Sequence, residues 1–346
     1  MNWTHKLLDW YGENKRSFVW RESQEPYKIW LSEVILQQTR TAQGLPYYNR
    51  FLSEFPTLKD LATASEDEVL KLWQGLGDYS RARNLHFTAK YIHRELNGVF
   101  PNTFDSLLQL KGVGDYTASA IASICFEIPQ AVVDGNVFRF LSRYFGILTP
   151  INSNTAHREF KKKAQDLMGK SHPGTFNQAM MEFGSLQCTP KKPKCQSCPF
   201  AESCIAFKQN KTMSLPVKIS RTKSRKRFFN YLVIKDQRDH YLFEKRTAKG
   251  IWYNLYQFPL LESKTTLKSK QALFAHPDFP KEFHLNLSEI KLWNTEPIIH
   301  KLSHQKLVVS FWKIEAKDKL NNAQSKAAIN ELAVPIVIQN FMEKFF

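Results

Sequence analysis

LQLKGVGDYTASAIA, residues 108–122, brings one amphipathic helix into Gly112-Val113-Gly114 and starts a second helix almost at once. Two glycines two apart let the backbone turn tightly. They also leave amide N–H groups exposed at a helix N-terminus, where a phosphate can sit. This is a helix-hairpin-helix arrangement, suited to clamping a duplex backbone without reading its sequence. An ordinary helix–helix turn is the competing reading. The formal net charge of +17 weighs against it, because such a balance points to a polyanionic partner, nucleic acid or an anionic membrane.

Outward from the hairpin, residues 1 to about 210 read as helical. Apolar residues recur at helical spacing in HKLLDWYGENKR, PYKIWLSEVILQQT, DEVLKLWQGLG, ARNLHFTAKYIHREL, TASAIASICF and NVFRFLSRYFG. VKISRTKSRKR (217–227) then has six basic residues among its last ten and no acidic one. That is a tether, solvated or laid along phosphates. Beyond Phe228 the period changes. FFNYLVIKD, HYLFEKR and KLVVSFWKIEA read as strands, and ELAVPIVIQNFMEKFF closes the chain as a helix. The expected organisation is a helical domain over 1–212, a basic linker over 213–227 and an α+β domain over 228–346. With 346 residues and 42% hydrophobic content, two packed cores are affordable. No apolar stretch is long enough to span a bilayer and no signal peptide opens the chain, so a reducing cytosolic or nucleoid setting is expected.

Four of the five cysteines fall together as Cys188-x6-Cys195-x2-Cys198-x5-Cys204. The residues between them supply turns (Pro190, Pro193, Pro199) and almost nothing apolar, so an inorganic centre must organise the loop. Zinc and an iron–sulfur cluster both use such ligands. Zinc sites usually show two close pairs, and here only the middle pair is close. Cys125, in an apolar run, reads as a buried core thiol.

Two carboxylates stand out. Glu33 follows Ile29 and Trp30 and precedes Leu36 on one helical stripe, where it is either a salt-bridged surface group or an acid whose pKa is raised by desolvation. Asp134, in AVVDGNVFRFLSRYFG, reads as a helix N-cap, a role compatible with a rigid, ionised carboxylate facing a cleft. Asn136 could orient a water or that carboxylate. One protonatable carboxyl and one anion suit cleavage of a glycosidic bond through an oxocarbenium-like sugar. If the sugar is deoxyribose, the nucleotide must first be flipped from the duplex.

LSEVILQQT (31–39), GLGDYSRARNL (75–85), GVGDYTASA (112–120), VVDGNVFR (132–139), FNQAMMEFG (176–184) and the cysteine quartet stand in this order. Together they make the chain resemble, over essentially its whole length, the MutY adenine DNA glycosylases of the helix-hairpin-helix superfamily. The resemblance implies a multidomain fold: an all-α glycosylase domain with an iron–sulfur loop, then an α+β MutT (Nudix)-like domain. It implies excision of adenine mispaired with 8-oxoguanine or guanine in double-stranded DNA, by a monomer in the cytoplasm or nucleoid. Glu33 then corresponds to the catalytic acid that protonates adenine N7, and Asp134 to the carboxylate that stabilises the oxocarbenium ion. Tyr116 and Asn136 lie beside them. Trp20, Arg21, Leu36, Gln38, Thr39 and Gln178 match positions around the flipped adenine or the intercalated strand. The four cysteines match the ligands of a [4Fe–4S] cluster, and Gly112, Gly114, Lys191, Lys192 and Lys194 are expected at DNA phosphate.

Tyr116 stands where lyase-active relatives carry a Schiff-base lysine, so the expectation is a monofunctional glycosylase, with Lys111 the nearest source of any minor adduct. The MutT-like domain has no Gly-x5-Glu-x7-Arg-Glu-x2-Glu-Glu run and lacks the carboxylates of a metal-dependent nucleotide hydrolase. His300, Ser303 and His304, in HKLSH, match the family's 8-oxoguanine-reading loop. Two positions depart from the family pattern. Leu302 replaces the usual Phe of Phe-Ser-His. Asp78 replaces the tyrosine that intercalates beside the lesion, which leaves Tyr79 or Leu76 to act as the wedge or weakens engagement. A glycosylase for thymine opposite guanine and a non-catalytic damage sensor are the rival readings; HKLSH opposes the first and the carboxylate pair the second.

Overall fold

The computed structural model describes residues 3–169, 172–220, 224–280 and 287–346. The linker positions 221–223 lie outside the described residues. The chain forms two compact units, Met1–Thr63 with Asn84–Arg221, and Ala64–Arg83 with Thr222–Phe346. The boundary after residue 221 falls inside the basic linker read from the sequence. The membership of residues 64–83 in the second unit is a finding of the structure.

In chain order the helices of the first half are α1 (Trp3–Asn14), α2 (Pro26–Leu36), α3 (Thr41–Glu54), α4 (Leu58–Thr63), α5 (Glu66–Trp73), α6 (Tyr79–Glu95), α7 (Phe104–Leu108) and α8 (Asp115–Phe126). They are followed by α9 (Gly135–Phe145), α10 (Ala156–Met168), α11 (Pro173–Leu186) and the single-turn α12 (Ile205–Lys208). In the first unit, α2 and α8 are buried nearly all round, which is why their sequences are apolar without a clean polar face. Around α9 and α11 an aromatic core assembles from Trp10, Phe140, Phe160, Phe176, Phe183 and Phe200. Gly184 lets α11 approach α9 closely: a Cβ there would sit 2.6 Å from the Asn136 carbonyl oxygen.

The second unit is built on β1 (Arg225–Lys235), β2 (Tyr241–Leu242), β3 (Glu244–Lys245), β4 (Tyr256–Gln257) and β5 (Leu260–Ser263). It continues with helix α13 (Lys270–Phe274), β6 (Leu287–Leu292), β7 (Ile298–Lys301), β8 (Gln305–Ala316), β9 (Ala323–Gln324), α14 (Lys326–Asn330) and α15 (Ile336–Phe345). The sheet runs β6-β8-β1-β2-β9, with β5 also paired to β1 and β7 to β8. Its centre is parallel, β1 on β8, from Arg225↔Gln305 to Lys235↔Glu315. Both central strands are buried in continuous runs, as strands covered on both faces require. On one face Phe341 of α15 stacks on Phe311 at 3.9 Å between centroids.

Residues 64–83 are held in this unit by polar contacts. Lys245 Nζ meets Asp67 at 2.7 Å, Tyr256 donates to the same carboxylate at 3.2 Å, and Asn254 donates to Glu66 at 2.5 Å. The Val334 amide donates to Gln74 at 3.1 Å, and the Tyr79 hydroxyl to the Val334 carbonyl at 3.1 Å. Among the described residues no helix is long and apolar enough to cross a membrane.

Candidate active site and iron–sulfur loop

Glu33 occupies the last turn of α2, where its carbonyl accepts from the Gln37 amide at 3.2 Å. It is only 8% exposed. Its side chain opens into a cavity of about 190 Å³ whose wall also includes Tyr116, Asp134, Asn136, Trp20 and Gln178. Burial pushes the Glu33 carboxyl up to about 7. A hydrogen bond with the Tyr116 hydroxyl opposes that rise, the negative charge of Asp134 adds to it, and Arg21 opposes it. The surface salt-bridge alternative for Glu33 is thereby set aside.

Asp134 is the N-cap of α9. Its Oδ1 accepts from the amides of Asn136 at 2.9 Å and Val137 at 2.8 Å, and its Oδ2 from the Asn136 side chain at 2.7 Å. The sequence reading expected these bonds to keep the group ionised. They do lower its pKa, but burial outweighs them and the net direction is upward. Desolvation in the cavity wall is the influence that periodicity does not reveal. Asn136 is in turn held by Arg139, which donates to its Oδ1 at 2.9 Å and to the Cys188 carbonyl at 2.8 Å.

Trp20, Arg21, Leu36, Thr39 and Gln178 all line this cavity. Gln38 does not line it; it is exposed on the turn after α2 with φ 59°. Sequence reasoning missed Arg16 and Glu182, a half-exposed arginine paired with a buried glutamate at the cavity edge. Arg16 binds Glu182 through Nε at 2.7 Å, and Arg21 binds the same carboxylate at 2.9 Å. Burial pushes Glu182 up, but hydrogen bonds from both arginines prevail and hold it near about 2. The available signal was a glutamate inside the apolar run AMMEFG.

The hairpin between α7 and α8 forms as read. Gly112 has φ +81°, and a Cβ there would lie 2.6 Å from the Asn84 Cβ. Gly114 is the extended N-cap of α8, with open space where a side chain would point. Lys191, Lys192 and Lys194 are exposed on the cysteine loop. The loop backbone is tied down by Lys194 N to Gln187 O at 3.0 Å and by Thr189 Oγ1 to Lys191 O at 2.8 Å.

Cys188, Cys195, Cys198 and Cys204 line one small cavity with Phe140, Phe200 and Arg143, and all four are free thiols. Among the described residues, no three His, Cys, Asp or Glu side chains converge closely enough to hold a single metal ion. An all-sulfur set spread around a shared cavity fits a multi-iron cage better than zinc. Arg143, 2% exposed, donates to Cys188 Sγ at 3.4 Å and to the carbonyls of Thr189 at 2.7 Å and Leu215 at 3.0 Å. Its charge opposes the burial that pushes the Cys188 thiol up. Cys125, also free, is half-buried rather than fully buried as its apolar run suggested, and burial pushes its thiol up to about 12.

In the second unit Ser303 and His304 are exposed at the tip of the β7–β8 hairpin, closed by the Leu302 amide to the Gln305 carbonyl at 2.8 Å. His300 precedes the tip, with its ring 5.8 Å from that of Trp252, and burial lowers its pKa. Tyr79 and Leu76 are both buried, so neither stands out as a wedge. Asp78 is exposed with φ 33° just before α6, and its carboxylate accepts from Ser80 Oγ at 2.5 Å. Aspartate enters the positive-φ region more readily than tyrosine and can satisfy the start of a helix, which gives its presence a local physical reason.

Comparison with known proteins gives three family matches: the HhH-GPD superfamily of base excision DNA repair proteins over residues 31–166, the iron–sulfur binding domain of endonuclease III over 188–204, and the NUDIX domain over 230–344. An adenine DNA glycosylase of Buchnera aphidicola subsp. Schizaphis graminum is 32% identical, covering 98% of this chain and 97% of that one. The Arabidopsis thaliana enzyme of the same name is 35% identical over 82% of this chain and 51% of its own, and the Homo sapiens enzyme 45% over 58% and 38%. Among solved structures, a thermostable thymine-DNA glycosylase is 28% identical with TM-score 0.56, covering 60% of this chain and 95% of its own. An endonuclease III–DNA complex, 22% identical with TM-score 0.52 over 60% and 94%, shares the fold.

Proposed function

Because this chain belongs to the adenine DNA glycosylase family, an iron–sulfur DNA-repair enzyme family, we propose that its substrate is adenine opposite 8-oxoguanine or guanine in double-stranded DNA. Adenine removal is the family's reaction. The finer assignment rests on residues. The observation that carries it is Glu33, buried in a base-sized cavity with its pKa raised to about 7, next to the capped carboxylate of Asp134.

The flipped adenine enters the cavity, and the protonated Glu33 carboxyl delivers its proton to N7. The C1′–N9 bond then breaks with its electron pair leaving on adenine, because protonation makes the base a better leaving group. Asp134 faces the positive charge that develops at the sugar. Its oxygens are fixed by Asn136 and Val137, so it need not reorganise as the charge appears. Water adds hydroxide to C1′, and its remaining proton returns to Glu33.

Tyr116 supplies no amine, so the enzyme is monofunctional. Gly112, Gly114 and the Lys191, Lys192 and Lys194 side chains hold phosphate. Cys188, Cys195, Cys198 and Cys204 ligate the cluster, of [4Fe–4S] type, which organises that basic loop when bound. His300, Ser303 and His304 present donors and acceptors to the lesion opposite the adenine. The protein acts as a monomer associated with the nucleoid.

The test is adenine release from duplex carrying adenine opposite 8-oxoguanine, with Glu33→Gln alongside. Release by the variant at the wild-type rate would sink the mechanism. Borohydride trapping is expected to give little covalent adduct, and a robust one would overturn the monofunctional assignment.

A further inference from the structure

The cavity beside Glu33 has a polar wall that the proton transfer itself does not use. Gln178, on α11, contributes its amide to that wall. The Oε1 of this amide accepts a hydrogen bond of 2.9 Å from the hydroxyl of Tyr11. Tyr11 comes from α1, 167 residues away in the chain, and is 5% exposed. The Arg21 guanidinium stands 5.9 Å from the centroid of the same ring, fixed by Glu182 at 2.9 Å and by the Arg16 carbonyl at 2.8 Å. Two polar groups of the wall therefore rest on one buried side chain, one through its hydroxyl and the other through its ring.

We infer that Tyr11 is a positioning residue that fixes the orientation of the Gln178 amide, and through it the preference for adenine over hypoxanthine. The inference rests on reading this cavity as the adenine pocket. With its oxygen engaged by Tyr11, the amide turns its NH2 group, a donor only, toward the base. The ring nitrogens of adenine left free at its edges are all acceptors. Hypoxanthine carries a proton on N1, so an amide NH2 directed at N1 meets an acceptor in adenine and a donor in hypoxanthine. A buried site built around a fixed hydrogen-bond pattern rejects a base that leaves its groups unpaired. Burial also pushes the Tyr11 phenol up, which keeps the O–H in place as the donor throughout the working pH range.

Tyr11→Phe removes the hydroxyl and keeps the ring, so the arginine contact and the packing persist. Single-turnover base release is measured for wild type, Tyr11→Phe, Gln178→Ala and the double variant, on duplexes with adenine or hypoxanthine opposite 8-oxoguanine. Tyr11→Phe should slow adenine release by about five- to tenfold, the value of one hydrogen bond. It should also lower the adenine-to-hypoxanthine ratio, with the pH profile set by Glu33 unchanged. In the Gln178→Ala background the Tyr11 change should have no further effect. An equal loss on both bases, or an undiminished Tyr11 effect without Gln178, would overturn the inference while leaving the glycosylase reading intact. Failure of the wild type to release adenine would instead remove the pocket reading, and this inference with it.

Discussion

Replacing Glu33 by glutamine removes a transferable proton, and it also removes a buried charge. The two effects have opposite signs for the enzyme. In an unfolded chain the Glu33 carboxyl titrates near its ordinary value of 4.5, and in the folded protein near about 7. The folded state therefore holds a proton that the unfolded state has released between those two values. Stability associated with Glu33 is fully present below about pH 4.5 and is lost progressively as pH rises through about 7. A shift of that size corresponds to about 3 kcal/mol. Glutamine has the same shape and no titration, so Glu33→Gln should match the wild type near pH 4.5 and exceed it by up to about 3 kcal/mol at pH 8. For a unit of this size that is on the order of 5–10 °C in Tm. Thermal unfolding of both proteins at intervals from pH 5 to pH 8 measures the gap, and single-turnover adenine release over the same range measures the proton transfer. Wild-type release should fall above about pH 7, where the carboxyl deprotonates, and Glu33→Gln should lose about 100-fold or more throughout. A stability gap that does not change between pH 5 and pH 8 would refute the reasoning, because Glu33 would then not titrate in that window.

The three loop lysines are predicted to act through phosphate alone. Changing Lys191, Lys192 and Lys194 together to alanine should flatten the salt dependence of binding to undamaged duplex by up to about three units in log–log slope, with single-turnover release at saturation unchanged. Gly112→Ala combines φ +81° with a Cβ only 2.6 Å from Asn84. It should cost about 1–3 kcal/mol in unfolding experiments and weaken duplex affinity. Asp78→Tyr should tighten binding to lesion duplex by restoring a stacking ring. It should also cost about 1 kcal/mol of stability, because tyrosine takes up φ 33° less readily and cannot replace the carboxylate at Ser80. Unchanged or weaker binding in a gel-shift titration would count against the wedge role of this position.

The helical half was legible because its signals are local. Glycine spacing set the hairpin, apolar spacing marked α2 and α8, and the cysteine spacing marked its loop. Glu33 was readable too, since a carboxylate among Ile29, Trp30 and Leu36 can only be explained by desolvation or exposure. The net direction at Asp134 was not. It depends on how completely the cavity wall excludes water, and an N-cap motif looks the same in a dry wall as on a wet surface. Glu182 and Arg16 escaped notice because their pairing spans 166 residues. Tyr11 was hidden for the same reason, as one aromatic among several on an ordinary amphipathic helix. The second domain's strands followed from short runs rich in β-branched and aromatic residues, but the parallel pairing of β1 with β8 is a matter of topology that no window of sequence contains.

Residues 64–83 are made early and completed late. Their partners Lys245, Asn254 and Val334 emerge from synthesis long after them, and the central pairing of their unit waits for β8 at residues 305–316. During that interval Asp67, Gln74 and Tyr79 lack the groups they finally bind. A chain cut short after the basic linker would keep every residue of the Glu33 cavity and still lose the supports beneath the Gly75–Ser80 turn. Damage to the codons that follow the basic linker would thus reach a turn encoded well ahead of it.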